Sequence, residues 1–231
     1  MEKTKTAAIC IAAYDCAEFI PDLIDGLRKQ LFCPGWQYEW RIGVDNCPNT
    51  AAILKTMKIP FYYSDTNVGH AIIRNSLIYL KPADAYAYFD ADDYMLPRYL
   101  RDNCQAIEKY DFVMAKKINC DHYLKNHRPP CIENGGAMTF SHYVLQTIGG
   151  FKPYRCAIDT DLMDRWKNTG GQIHVINRPL YLRRMHNKAL TRKSDTGMGS
   201  PYRKRVWSEM CEQRKAGEYK IKPVMVKLEE R

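Results

Sequence analysis

Ala85-Tyr86-Ala87-Tyr88-Phe89-Asp90-Ala91-Asp92-Asp93 begins as an apolar run and ends in carboxylates. Residues 85–89 have the length and aromatic content of a buried strand. The cluster that follows puts three acidic groups into four residues, which repel one another unless solvent or a cation compensates. At the end of a strand, alternate residues share a face, so Asp90 and Asp92 are expected to point the same way. Hard oxygen ligands in that arrangement suit Mg²⁺ or Mn²⁺, ions that commonly hold substrate phosphates as well. An acidic turn in which Asp93 caps the next helix is the other reading of these residues. Either way a strand ends here and a helix starts near Pro97, a residue suited to a first turn.

Outward from this stretch, strand-like and helix-like patterns alternate. Residues 7–13 form a second apolar run, stopped at Tyr14-Asp15. Helical spacing follows at Phe19, Ile20, Leu23, Ile24, Leu27 and Leu31, with Pro21 tolerated in the first turn. Strands are expected over 39–45 and 59–63, and a helix over 69–80 with Ile72, Ile73, Leu77 and Leu80 on one side. The second half is less regular. It reads as strands over 111–118 and 136–140, a helix over 141–148, a break at Gly149-Gly150 and a helix over 160–168 with Leu162 and Trp166 inward. Two strands, 173–177 and 180–184, and a charged surface helix over 202–215 complete the pattern.

This alternation predicts an α/β chain with a mostly parallel, doubly wound sheet. Ligands bind such sheets at the carboxyl ends of the strands. Tyr14-Asp15, Asp45 and Asp90 to Asp93 each follow an expected strand end. At 231 residues, without an internal repeat or clear linker, one domain is expected. Its main part would cover 1–200, with a basic helical extension over 201–231 packed on it or trailing from it.

The formal charge of +9 is unevenly placed: residues 178–231 hold 15 basic and 6 acidic side chains, and the rest is neutral. A basic segment of this kind meets a pyrophosphate, an acidic surface or nucleic acid, or is simply solvated. The first apolar run is too short for a signal-peptide core, and no stretch is long enough to span a bilayer. The nine cysteines are scattered, odd in number and without a C-x-x-C pair. The expectation is a soluble, cytoplasmic protein without a disulfide framework. Cys120, His122 and Cys131 lack a fourth partner nearby, which disfavours zinc.

In order and spacing, five segments resemble the GT-A fold glycosyltransferases of family 2. They are Ala12-Ala13-Tyr14-Asp15, Asp45, Asn67-Val68-Gly69 through Arg74-Asn75, Phe89-Asp90-Ala91-Asp92-Asp93 with Leu96-Pro97, and Gly149-Gly150-Phe151 with Asp159-Thr160-Asp161-Leu162 and Arg165. The resemblance implies a Rossmann-like mixed sheet and an inverting transfer from a UDP-sugar. It implies that Ala12 and Tyr14 receive the nucleotide base, that Asp45 bonds the uracil, and that Arg74 meets the nucleotide or its phosphates. Asp90 would contact the ribose or help hold the metal, and Asp92 would hold it. His186, after the last expected strand, would complete the metal site, and Arg192 and Lys193 would belong to a mobile loop closing over the pyrophosphate. Asp159 matches the family's general base, although the usual Glu-Asp is here Ile158-Asp159; Asp161 remains a rival. The acceptor stays open between a modified DNA base, as in bacteriophage DNA glycosylation, and a cell-surface polysaccharide or glycan. Outside the class stand a nucleotidyltransferase, for which residues 12–17 lack a glycine-rich phosphate loop, and a non-catalytic nucleic-acid-binding module.

Overall fold

The computed structural model describes residues 3–132 and 137–231. One mixed sheet runs through it, in the order β5-β8-β6-β7-β4-β1-β2-β3-β9. In chain order the elements are β1 (Lys5–Ala13), α1 (Ile20–Arg28), β2 (Trp36–Asp45), α2 (Pro48–Thr56), β3 (Tyr62–Ser64), α3 (His70–Ile78), β4 (Ala85–Asp90) and β5 (Tyr94–Met95). They continue as α4 (Tyr99–Ile107), β6 (Phe112–Cys120), β7 (Ala137–Ser141), α5 (His142–Ile148), α6 (Ile158–Asn168), β8 (His174–Arg184), α7 (Pro201–Ala216) and β9 (Glu229–Glu230). Gly136, placed in a strand from its sequence, lies outside the described residues.

Strand alternation builds a core on each face of the sheet. Ile9, Ile11 and Ala13 of β1, with Ala87 and Phe89 of β4, pack against Ile20, Leu23, Ile24 and Leu27 of α1 and Tyr99 and Leu100 of α4. Ala8 and Cys10, with Tyr86 and Tyr88, face Ile73 and Leu77 of α3, Val144 and Ile148 of α5, and Leu162 and Trp166 of α6. Helices on both faces make the sheet doubly wound. β1 lies between β2 and β4, parallel to both, so the strand order reverses beside β1. A crevice opens there at the carboxyl ends.

The sheet departs from a parallel one at β7, which is antiparallel to both β4 and β6, and at the edge strands β5 and β9. The two strands expected over 173–184 are one strand. β8 stays paired with β6, and register shifts on either side of Lys116 absorb Asn177-Arg178 and Leu180 where the pattern breaks. Helix α6 begins at Ile158, two residues before its expected start, after Ala157 in the left-handed region (φ 60°).

The C-terminal part is more than a helical extension. The Ser200 side chain caps α7 by accepting from the Arg203 amide, and Gly217 ends it at φ 70°. The chain then turns back as an extended strap along α5 and α3. Ile221 N donates to Ile148 O, Asn75 Nδ2 to Val224 O, and Val226 N to Ser76 Oγ. It ends as β9, antiparallel to β3. Gly149 and Gly150 allow this close approach: a Cβ would stand 2.3 Å from Ile221 O at the first and 2.3 Å from Asn75 Oδ1 at the second. Among the described residues, no helix is long and apolar enough to cross a membrane.

Candidate active site

Strands β1, β2 and β4 end at Ala13, Asp45 and Asp90 on one edge of the sheet, and Ala12 sits in register with Asp90. Tyr14, directly after β1, is 55% exposed at that edge.

The acidic turn is held from three sides. Arg74 of α3 is buried, lies 3.8 Å over the Tyr88 ring and donates from Nη2 to Asp90 Oδ1 at 2.5 Å. Burial, with the charges of Asp92 and Asp159, pushes the Asp90 carboxyl up to about 6 against the opposing pull of Arg74. Asp92 Oδ2 lies 2.7 Å from His186 Nε2, in a histidine that is itself buried against Phe19. Asp93 turns inward. Its Oδ1 accepts from the Arg184 amide at 2.9 Å, and burial together with Asp92 and Asp90 raises its carboxyl well above the usual range.

Oxygens of Asp90, Asp92 and Asp93 lie within 4.8 Å of one another. Among the described residues, three buried polar atoms here have no hydrogen-bond partner, Arg74 Nε, Asp93 Oδ2 and His186 Nδ1. The donor set of hard carboxylates plus one imidazole fits Mn²⁺ or Mg²⁺, with Asp92, Asp90 and the His186 Nε2 beside them as the residues that would hold it.

Arg184 carries no sequence signal beyond its place beside His186, yet it fastens the turn. Its Nε donates to Asp92 O at 2.8 Å, its Nη2 to Asp22 at 2.7 Å and its Nη1 to His122 O, and the guanidinium lies 4.6 Å over the Phe19 ring. It thus ties the end of β8, the start of α1 and the acidic turn together.

Asp159 lies half-buried in the first turn of α6. It is close enough to Asp90 and Tyr88 for its charge to raise both. Asp161 has a different setting. It is 1% exposed, with Oδ2 taking Arg165 Nε at 2.8 Å and Oδ1 facing Lys152 Nζ at 3.1 Å. Arg165 in turn donates to Ile148 O and Gly150 O, and Lys152 to Gln213 of α7. Asp161 is therefore a buried knot between α6, α7 and the Gly149-Gly150 turn.

Asp45, expected to bond a base, is 2% exposed, and its two carboxylate oxygens accept from the Val68 and Gly69 amides at 2.7 and 2.8 Å. In this structure it closes the Asn67-Val68-Gly69 loop ahead of α3. Residues 187–200, which carry the expected loop cations Arg192 and Lys193, contact the rest of the chain on either side of them. Lys188 Nζ reaches Asp15 at 3.6 Å and Glu18 at 3.4 Å, while buried Thr196 bonds Leu190 O and accepts at its carbonyl from Arg203. Arg192 is exposed on it, with Nη1 3.4 Å from Asn187 Oδ1.

No curated protein matches the chain. Among solved structures, residues 1–349 of S. aureus TarS in complex with UDP-GlcNAc superpose with a TM-score of 0.67 at 17% identity, covering 80% of this chain and 60% of that one. The mannosyltransferase PcManGT from Pyrobaculum calidifontis, in complex with GDP-Man and Mn²⁺, gives 0.66 at 12% identity over 94% of this chain and 74% of that one. The chain thus spans about three fifths of the length of the TarS fragment and has the GT-A glycosyltransferase fold. Residues 8–210, which run from the middle of β1 into α7 and enclose the acidic turn, His186 and Asp159, match the family described as Glycosyl transferase family 2, and the chain belongs to that family.

Proposed function

We propose that this protein is an inverting, metal-dependent glycosyltransferase that moves a hexosyl or pentosyl group from a UDP-sugar to an acceptor hydroxyl. One observation carries the reading: Asp90, Asp92 and His186 converge at the switch point of the sheet, with Asp159 beside them on a separate element. Asp92, Asp90 and His186 would hold a divalent cation, which when bound would supply the positive charge that makes a diphosphate an acceptable leaving group. Arg74 holds Asp90 in place, and Arg184 holds the backbone of Asp92. Asp159 is the general base, taking the proton of the attacking hydroxyl on the face opposite the leaving diphosphate. Ala12 and the exposed ring of Tyr14 receive the base of the nucleotide, and Asp45 acts there through the loop it closes. Arg192 and Lys193 face the diphosphate from the 187–200 loop.

UDP is preferred as the nucleotide from the resemblance at Asp45 and from the TarS complex with UDP-GlcNAc; PcManGT was solved with GDP-Man. For the acceptor, the basic stretch favours an anionic polymer, and a hydroxylated DNA base is the candidate we retain. A cell-surface glycan is the alternative, and the neutrality of residues 1–177 favours it. The proposed location is the cytoplasm.

The test is thermal stabilisation by UDP-, GDP- and dTDP-sugars with Mn²⁺ and with EDTA. Stabilisation selective for UDP compounds and dependent on metal is expected, with both effects lost in Asp92→Asn. Equal shifts with EDTA present would remove the metal from the proposal, and no shift with any nucleotide would remove the transferase.

A further inference from the structure

The edge of the sheet opposite the acidic turn carries a recess that the transfer reaction does not use. β4, β6 and β8 run in one direction, so the residues before β6 and at the start of β8 lie at the far edge from Asp90. A cavity of about 450 Å³ opens there between Tyr110, Asp111, Tyr143, Trp166 and Gln172, a volume within the range of small-ligand sites.

The recess is built around aromatic rings. The Tyr110 ring stacks on His174 with centroids 3.9 Å apart and planes 2° from parallel, which fixes it as a platform while 42% of the residue stays exposed. Tyr143 is 57% exposed and meets Trp166 edge-on at 6.1 Å. The turn after α6 is moulded to the indole. A Cβ on Gly171 would lie 2.2 Å from the Trp166 ring, and Trp166 Nε1 donates to Gln172 O at 2.9 Å. Polar groups border the rings, and among the described residues that line the recess the charge of Lys109 is balanced by that of Asp111. Rings with electron-rich faces beside hydroxyl and amide groups, without net charge, suit a neutral polyhydroxylated ligand whose C–H faces lie on the rings. A polyanion finds no excess of cations here.

We propose that this recess is a second carbohydrate-binding site, which holds a neutral oligosaccharide at the edge of the sheet remote from the metal and donor residues. It would keep a glycan chain on the protein while the catalytic edge acts elsewhere on it. The inference rests on membership of the glycosyltransferase family and not on the assignment of any residue at the acidic turn.

Isothermal titration with maltohexaose, chitohexaose and mannohexaose tests it on the full chain. At least one is expected to bind, and Tyr110→Ala with Tyr143→Ala, both exposed, is expected to weaken that binding at least tenfold. The thermal shift given by UDP with Mn²⁺ is expected to stay unchanged in the same variant. No binding of any of the three, or undiminished binding by the variant, overturns the proposal. A change in sedimentation coefficient in the variant overturns it in favour of a second copy of this chain as the occupant. A missing UDP shift in the unaltered protein would instead count against the donor assignment, so the two failures are separable.

Discussion

At the scale of the residue, two neighbouring aspartates in the first turn of α6 have opposite settings, and their variants are expected to fail in opposite ways. Asp159→Asn removes the proposed base without breaking a buried ion pair. It is expected to lower kcat by about 10²–10⁴-fold, with donor binding and unfolding midpoint close to those of the parent. Asp161→Asn leaves the side chains of Arg165 and Lys152 buried without their counter-charge. Breaking a buried pair costs about 3–5 kcal/mol, so urea unfolding should show the loss. Full activity in Asp159→Asn would return the role of base to another group. The acidic turn makes a prediction about pH. Asp90 is raised from 3.8 to about 6, so without a cation its ionised form costs stability as pH rises through that window. A cation binds the ionised form and relieves that cost, whereas protons compete with it below about 6. The rise in melting temperature on adding Mn²⁺ should therefore be small at pH 5 and grow to pH 7, and a shift independent of pH would mean that Asp90 is not a ligand.

At the scale of the element, what the sequence revealed followed from side-chain period, and what it hid lay in contacts between distant segments. β1 and β4 were legible because their apolar runs stop at polar residues, and α1 because its apolar positions recur at helical spacing. α2 was missed: in nine residues it buries only Thr50, Ala51 and Leu54, too few for a period to show. β5 and β9, at two residues each, have no pattern at all. In the site, the positions of Asp90, Asp92, His186 and Asp159 came from motif order. The grip of Arg184 and the confinement of Asp161 did not, because Arg184 reaches Asp22 far away in the chain, and Lys152, which faces Asp161, is itself held by the distant Gln213. The strap after α7 is the largest such case, since it is held through backbone bonds and through Asn75 and Ser76. Gly149, at φ 75° with Ile221 O against the place of a Cβ, is the point at which to test it. Gly149→Ala is expected to destabilise the protein by about 1–3 kcal/mol from backbone strain alone, and further if the strap lifts. Hydrogen exchange should then rise at Ile221 and Val226; unchanged stability and exchange would mean that the strap is not held at this point.

At the scale of the whole molecule, folding redistributes the basic excess of the last quarter of the chain. Arg184 and Arg203 are buried. Arg178, Arg214 and Arg231 pair with Asp102, Asp164 and Asp65 from the rest of the chain. Exposed Arg192, Lys193, Lys204 and Arg205 sit on the 187–200 loop and the start of α7. These two segments are joined by the bond from Arg203 to Thr196 O, and α7 packs through Val206 and Met210 on Ala157, two residues before Asp159. A phosphate-bearing acceptor drawn to these exposed cations would release counterions with each phosphate neutralised. For duplex DNA the logarithm of the binding constant should fall with the logarithm of salt concentration by about 0.9 per phosphate contacted. Lys204→Glu with Arg205→Glu, both on the exposed side of α7, should then reduce the slope by about 2 without altering the thermal shift given by UDP and Mn²⁺. Electrophoretic retardation from 50 to 200 mM salt reads both quantities. If the parent does not retard DNA, or if the slope is the same in the variant, these cations do not serve a nucleic-acid acceptor and the glycan alternative takes its place.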